Sequence, residues 1–198
     1  MRRTRTSAWR RFDPEAFARR VPAAEVAAAS VRPTSCRILG LDPGSLRTGW
    51  GVLDCDGTQQ RHIASGCIRA NEGSMAQRLR HIFVTLSSLV QEHRPDEVAI
   101  ERVFLHRNPD SALKLGQARG VAMCAAVLHG ATVFEYAPRA VKLALVGSGN
   151  ADKGQVQHMV RVLLTLDVAM GLDTSDALAL GLCHSQARRL GAVLEAAR

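Results

Sequence analysis

Arg37-Ile38-Leu39-Gly40-Leu41-Asp42-Pro43-Gly44, at residues 37–44, and Glu97-Val98-Ala99-Ile100-Glu101, at residues 97–101, are the two stretches on which the reading of this chain turns. Each is a short apolar run that ends on a carboxylate, and such runs, bounded by turn residues or charges, read as buried strands. If the two strands are parallel neighbours, as a helical crossover between sheet strands requires, their C-terminal ends lie about 5 Å apart. Asp42 and Glu101 then point into one crevice.

Outward from Asp42, the Asp42-Pro43-Gly44 turn closes the first strand. Trp50 to Leu53 reads as a second strand, Asp54-Cys55-Asp56-Gly57 as a hairpin turn and Gln59 to Ile68 as a third, so the domain opens with an antiparallel meander. Apolar residues at 75, 79, 82, 83, 86, 89 and 90 mark one face of a helix that stops near His93, before Pro95. Beyond Glu101, residues 103–109 form a basic loop, Asp110 opens a helix to about His129, and residues 131–136 make a fifth strand. Val156, Met159, Val160, Leu163 and Leu164 place a helix over residues 153–166, and residues 174–190 form a closing helix. This order predicts an α/β domain over residues 36–190, a mixed five-stranded sheet flanked by helices. Residues 1–35 are expected to be a poorly ordered Arg-rich extension, and residues 191–198 a C-terminal tail.

A chain of 198 residues suits one domain with a tail. No run approaches the roughly 18 apolar residues of a membrane span. With only eight aromatic residues, Ala, Val and Leu must fill the core. The five cysteines, at 36, 55, 67, 124 and 183, are odd in number and include no CxxC pair, which argues against a disulfide framework or a thiolate zinc site and for a reducing cytoplasm. The formal charge of +8 is uneven: residues 1–35 hold eight Arg against three acids, leaving only +3 on the remainder. Bulk charge is therefore a weak argument for a nucleic-acid partner of the folded part. The extension has no apolar signal core. It fits a solvated tail, an over-extended start, a transit peptide or a DNA-binding arm.

Two further acids join Asp42 and Glu101. Asp173 and Asp176, three apart at the start of the final helix, share one face, and helix starts and strand ends meet at one sheet edge in such folds. Plain structural roles exist: Asp42 can start a Pro-Gly turn, Asp173 can cap a helix, and the macrodipole favours Asp176. Glu101 is harder to dismiss, because a carboxylate closing Val98-Ala99-Ile100 is partly desolvated and needs a partner. A divalent cation is one such partner. Carboxylate oxygens without His or Cys suit Mg²⁺ or Mn²⁺ rather than zinc.

The motifs Gly40-Leu41-Asp42-Pro43-Gly44-Ser45 to Thr48-Gly49, Glu101-Arg102-Val103-Phe104, Asn108 through Gly120 (NPDSALKLGQARG), Phe134-Glu135-Tyr136, Gln155 through Val160 (QVQHMV) and Asp173-Thr174-Ser175-Asp176-Ala177-Leu178-Ala179 resemble the RuvC family of Holliday-junction resolvases. The match as a whole runs from about residue 37 to residue 188. The resemblance implies a ribonuclease H-like fold and a homodimeric endonuclease that nicks two opposed strands of four-way junction DNA in recombination and repair. It places Asp42, Glu101, Asp173 and Asp176 on the family's metal-binding, catalytic carboxylates, with two Mg²⁺ ions per site and Mn²⁺ as a substitute. It puts Lys142 and Lys153 on junction-binding positions and Phe104 against bases at the crossover, in the loop that also carries Arg107. The bacterial RuvA and RuvB branch-migration proteins are implied as further partners. The extension has no counterpart in the family pattern.

Arg102, Arg107, Lys114, Arg119, Arg139, Lys142, Lys153 and Arg161 are opposed between residues 101 and 161 only by Glu101, Asp110, Glu135 and Asp152, so this half is expected to face DNA. Lys114, Arg119 and Arg161 fit solvated helix faces equally well, and without the resemblance Phe104 reads as a core residue. Gly116 and Gly120 strip one helix face for close approach, either to a second subunit or within the chain. His62, His81, His93, His129, His158 and His184 have no mutual ligand spacing and read as surface or satisfied core residues. Gly-x-Asp-x-Gly openings also resemble the phosphate loops of actin-like ATPases and sugar kinases, but those need a second lobe for which this length has no room. A nuclease acting on RNA, or a branched-DNA binder that does not cut, are the other rivals, and four intact carboxylates speak against a pure binder.

Overall fold

The computed structural model describes residues 35–57, 59–102, 108–167 and 169–196. Its strands are β1 (Ser35–Asp42), β2 (Arg47–Asp56), β3 (Gln59–Arg69), β4 (Glu97–Glu101) and β5 (Thr132–Tyr136). Its helices are α1 (Met75–His93), α2 (Pro109–Leu128), α3 (Pro138–Val146), α4 (Lys153–Leu164) and α5 (Leu172–Ala196). The sheet runs β3-β2-β1-β4-β5. β1, β2 and β3 are antiparallel, whereas β4 lies parallel to β1 and β5 parallel to β4.

β1 and β4 are apolar at successive positions because both faces of the sheet are covered. Leu39, Leu41, Val98 and Ile100 point to α1 and α2, where Ile82, Leu86, Val90, Ala118, Ala122 and Ala126 complete one layer of core. Ile38, Leu53 and Ala99 point the other way, against Leu178, Ala179 and Leu182 of α5 and against α3 and α4. The alanine-rich inner stripe of α2 compensates for the scarcity of aromatic residues by letting that helix lie close. The expected mixed five-stranded sheet is present, and α1 ends where the spacing placed its end. Ser74 and Gln77 form a reciprocal capping box at the start of α1, and Arg94 closes it in the left-handed conformation (φ 48°) before Pro95.

Four boundaries depart from the expectation. α3 went unseen because nine residues are too few to repeat a helical period, although Pro138 at its first turn and left-handed Gly147 (φ 76°) at its end are start and stop signals. α5 continues through Gly191 to Ala196 instead of giving way to a tail at 191–198, since one glycine among Ala192, Val193 and Leu194 is too weak a breaker. β2 extends to Asp56, leaving a tighter hairpin, because Asp54 is held in the ladder by Arg37 at 2.6 Å and Arg61 at 3.0 Å. α4 stops at Leu164, where Thr165 turns left-handed (φ 52°). The Arg-rich extension lies outside the described residues except for Ser35, the first residue of β1.

The packing of α5 is the tightest in the molecule. A Cβ at Gly40 would come within 1.9 Å of the Ala177 carbonyl oxygen, one at Gly49 within 1.9 Å of the Asp173 carbonyl oxygen, and one at Gly51 within 2.5 Å of the Leu178 side chain. The glycines of β1 and β2 thus give the helix backbone its seat. Gly40→Ala should therefore destabilise the fold by about 1–3 kcal/mol through overpacking against backbone. Gly191→Ala, on an open stretch of α5 where a Cβ meets nothing within 4 Å, should stabilise it by up to about 1 kcal/mol. Denaturant titration of the two variants checks the pair.

Candidate active site

Asp42 ends β1 directly beside the end of β4, where Leu41 pairs with Ile100, so Glu101 follows at the same level. The turn after Asp42 is closed by fully buried Thr48, whose hydroxyl donates to the Gly44 carbonyl at 3.2 Å. On its other side Asp42 pairs with Gly49, the residue on which Asp173 of α5 rests. One helical turn later Asp176 faces the same edge. The four carboxylates that the sequence separates from the rest are thereby brought together.

A cavity of about 270 Å³ opens there, and its wall includes Asp42, Glu101, Asp176, Lys142 and Lys153. Burial pushes the Asp42 carboxyl up to about 7, and the charges of Asp176, Glu101 and Asp173 push the same way, against a lowering by Lys153. The Lys153 ammonium donates to Asp176 at 2.9 Å, and this bond raises the lysine's own pKa. Asp173 faces the Arg47 guanidinium at 3.8 Å and the Cys67 thiol at 3.7 Å. Among the described residues no three acidic, thiol or imidazole groups are drawn in tightly enough to ligate one ion. Lys153 and Arg47 stand beside two of the acids, Asp176 and Asp173, as local counter-charges. A cluster of hard oxygen donors, one of them pushed up to about 7 by burial and by its like-charged neighbours, fits a divalent cation in character.

Glu101 is anchored through its backbone. Arg119 of α2 donates from Nε to the Glu101 carbonyl at 3.0 Å and pairs through Nη2 with Glu135 at 2.7 Å. Arg119 was expected on a DNA-facing or solvated surface, and it instead ties α2 to the ends of β4 and β5. Lys114 forms a pair with Asp110 on its own helix at 2.6 Å, and Arg161 donates to the Leu166 carbonyl at 3.3 Å. Phe104 and Arg107 lie outside the described residues. Arg47 and Cys67 had not been singled out in the sequence. Their proximity to Asp173 becomes legible only once the pairing of Gly49 with Cys67 is known.

His184 is a satisfied core histidine, as expected. It is buried, its Nε2 lies 2.6 Å from the Glu97 carboxylate, its Nδ1 lies 2.6 Å from the Tyr136 hydroxyl, and its ring packs on Phe134 at 4.5 Å. Arg188 completes the pairing of Glu97. Burial alone pushes the Glu97 carboxyl up, but the hydrogen bonds from His184 and Arg188 win and hold it below the usual range.

Residues 38–184 match the profile of the family described as crossover junction endodeoxyribonuclease RuvC. The chain belongs to the RuvC family. It is 56% identical over 153 residues to the RuvC of Methylococcus capsulatus, covering 77% of this chain and 92% of that one. Against the RuvC of Alkalilimnicola ehrlichii it is 55% identical over 148 residues, 75% of this chain and 90% of the other. Among solved structures, Thermus thermophilus RuvC in complex with a Holliday junction substrate superposes with a TM-score of 0.75 at 32% identity, covering 79% of this chain and 97% of that one. The yeast mitochondrial resolvase Ydc2, at 14% identity and a TM-score of 0.57, shares the fold. RuvC membership makes the chain a DNA endonuclease with a ribonuclease H-like fold.

The raised Asp42 carboxyl fixes the sign of a pH effect. Its folded pKa of about 7 lies above the ordinary carboxylate value, so the stability this group permits is full below about pH 4 and is lost as pH rises through about 7. In chelator, Asp42→Asn should melt several degrees above the parent at alkaline pH. The gap should close as pH falls to about 4, which paired thermal melts will show.

Proposed function

We propose that this RuvC-family endonuclease nicks two opposed strands of a four-way DNA junction with Mg²⁺ held by Asp42, Glu101, Asp173 and Asp176, two ions per site, Mn²⁺ substituting. The observation that carries the reading is the meeting of Asp42, Glu101 and Asp176 in one cavity that has Lys142 and Lys153 on its wall, with the Asp42 carboxyl raised by burial and by its acidic neighbours. Bound metal at such a cluster supplies an activated water and stabilises the leaving oxygen of an in-line phosphodiester hydrolysis. The carboxylates position metal and move no protons. Lys153 neutralises Asp176 and, with Lys142, offers a point charge to backbone phosphate. Phe104 and Arg107 contact DNA from the loop that follows Glu101, with Phe104 stacked on bases.

Symmetric nicking needs two sites, hence a homodimer. A stripe of α2 suits the contact. A Cβ at Gly116 or Gly120 would meet nothing within 4 Å, and Leu113, Val127 and Leu128 stand exposed along the same stripe. No helix among the described residues is long and apolar enough to cross a membrane. The setting we propose is the bacterial cytoplasm, with the RuvA and RuvB branch-migration proteins as partners.

Purified chain with Mg²⁺ should cut a four-way junction in preference to linear duplex or RNA. Asp42→Asn should abolish cutting and leave junction binding within about tenfold, because it removes a metal ligand and no phosphate contact. Retained cutting by the purified variant would overturn the assignment. Lys142→Ala should reduce the slope of log affinity against log salt by about one. Phe104→Ala should melt like the parent yet lose roughly 1–3 kcal/mol of interaction per stacked base and cut poorly in single-turnover assays. A fall in stability of about 3–5 kcal/mol would instead return Phe104 to the core.

A further inference from the structure

A second cavity, of about 440 Å³, lies between the end of β3 and the start of α1, lined by Arg69, Ala70, Asn71, Glu72, Arg78 and His81. Its charge is not spent internally. Arg78 is half-buried, its Nε is shut off from solvent with no hydrogen-bond partner, and its Nη2 reaches only the Met75 sulfur at 3.3 Å, a weak acceptor. Arg69 is exposed. Glu72 is the one acid on the wall; it too is exposed, and among the described residues it forms no ion pair with either arginine. Two arginines on the wall of a solvent-open cavity, with no acid among the described residues paired to either, suit an anionic acceptor, and the planar fork of a guanidinium matches phosphate.

The register places this cavity relative to the carboxylates. Asp42 pairs with Gly49, and Gly49 with Cys67; two residues further toward the same edge, Arg47 pairs with Arg69. The cavity therefore opens at the catalytic edge, on the β3 side, whereas the cavity that holds Lys142 and Lys153 takes in Glu101 of β4. Arg47 bridges the interval, with its guanidinium at Asp173.

We propose that this cavity is a phosphate subsite for the DNA backbone. It grips the cut strand to one side of the scissile phosphate, on the flank opposite Lys142 and Lys153. Held on both flanks, the strand is fixed in register over the carboxylates without any base being read. The proposal rests on the junction-cutting reading above.

The test is junction affinity across a salt series in chelator, using a synthetic four-way junction and the full chain. Arg69→Gln and Arg78→Gln should each lower the slope of log affinity against log salt by about one. Glu72→Gln should tighten binding about two- to fivefold by removing the opposing charge. Arg69→Gln, at an exposed position, keeps the test valid if Arg78→Gln fails to fold. Parental slopes in the folded arginine variants, alongside normal parental binding, would sink the subsite alone. A parent chain that binds no junction would sink the functional reading beneath it.

Discussion

Everything in the catalytic edge depends on backbone meeting backbone, where α5 lies against β1 and β2. Side chains normally hold a helix well clear of a sheet, and at that distance short aspartates on the helix could not join a carboxylate at a strand end. Gly40, Gly49 and Gly51 remove the spacers, so the helix settles until its carbonyls touch the strand positions where a Cβ would be. Of the two glycines flanking Asp42, Gly40 therefore serves helix docking, and Gly44 serves its own turn, where a Cβ would come within 2.4 Å of the Arg47 carbonyl oxygen. This removes the physical basis for reading the same opening as a phosphate loop, in which glycines would be reserved for a ligand.

Two carboxylates on β4 show how differently the fold treats its acids. Glu97, at the start of the strand, is enclosed by His184 and Arg188, and its carboxyl is held below the usual range because each of its oxygens has a donor. Glu101, at the other end, belongs to a cluster in which Asp42, buried and faced by Asp176, Glu101 and Asp173, has its carboxyl raised to about 7. The first arrangement is self-contained and stabilises the sheet. The second sets like charges together in a desolvated place, a cost to the fold that added positive charge relieves.

Much of this was legible in the sequence, for reasons that differ from element to element. The strands around Asp42 and Glu101 were readable because full burial on both faces leaves continuous apolar runs, and α1 because nineteen residues repeat the helical period several times. Asp173 and Asp176 were legible through their spacing and the ordered motifs around them. The nine residues of α3 were too short to declare a period. Arg119 was misplaced because composition cannot separate a basic group that faces solvent from one that anchors a strand end, and Arg47 and Cys67 were invisible because their neighbour Asp173 is set by tertiary register alone.

The sheet is divided along β1: on one side the strands follow one another through short hairpins, and on the other they are joined by helical crossovers. Contacts on the first side are local and close quickly, while those that bring Glu101, Asp173 and Asp176 to Asp42 span long loops and form late. The carboxylate edge thus cannot exist before those long-range contacts have formed. A partly folded chain with a complete β1–β2–β3 meander carries a single acid of the four. The topology itself delays any capacity to cut DNA until the core beneath it has closed.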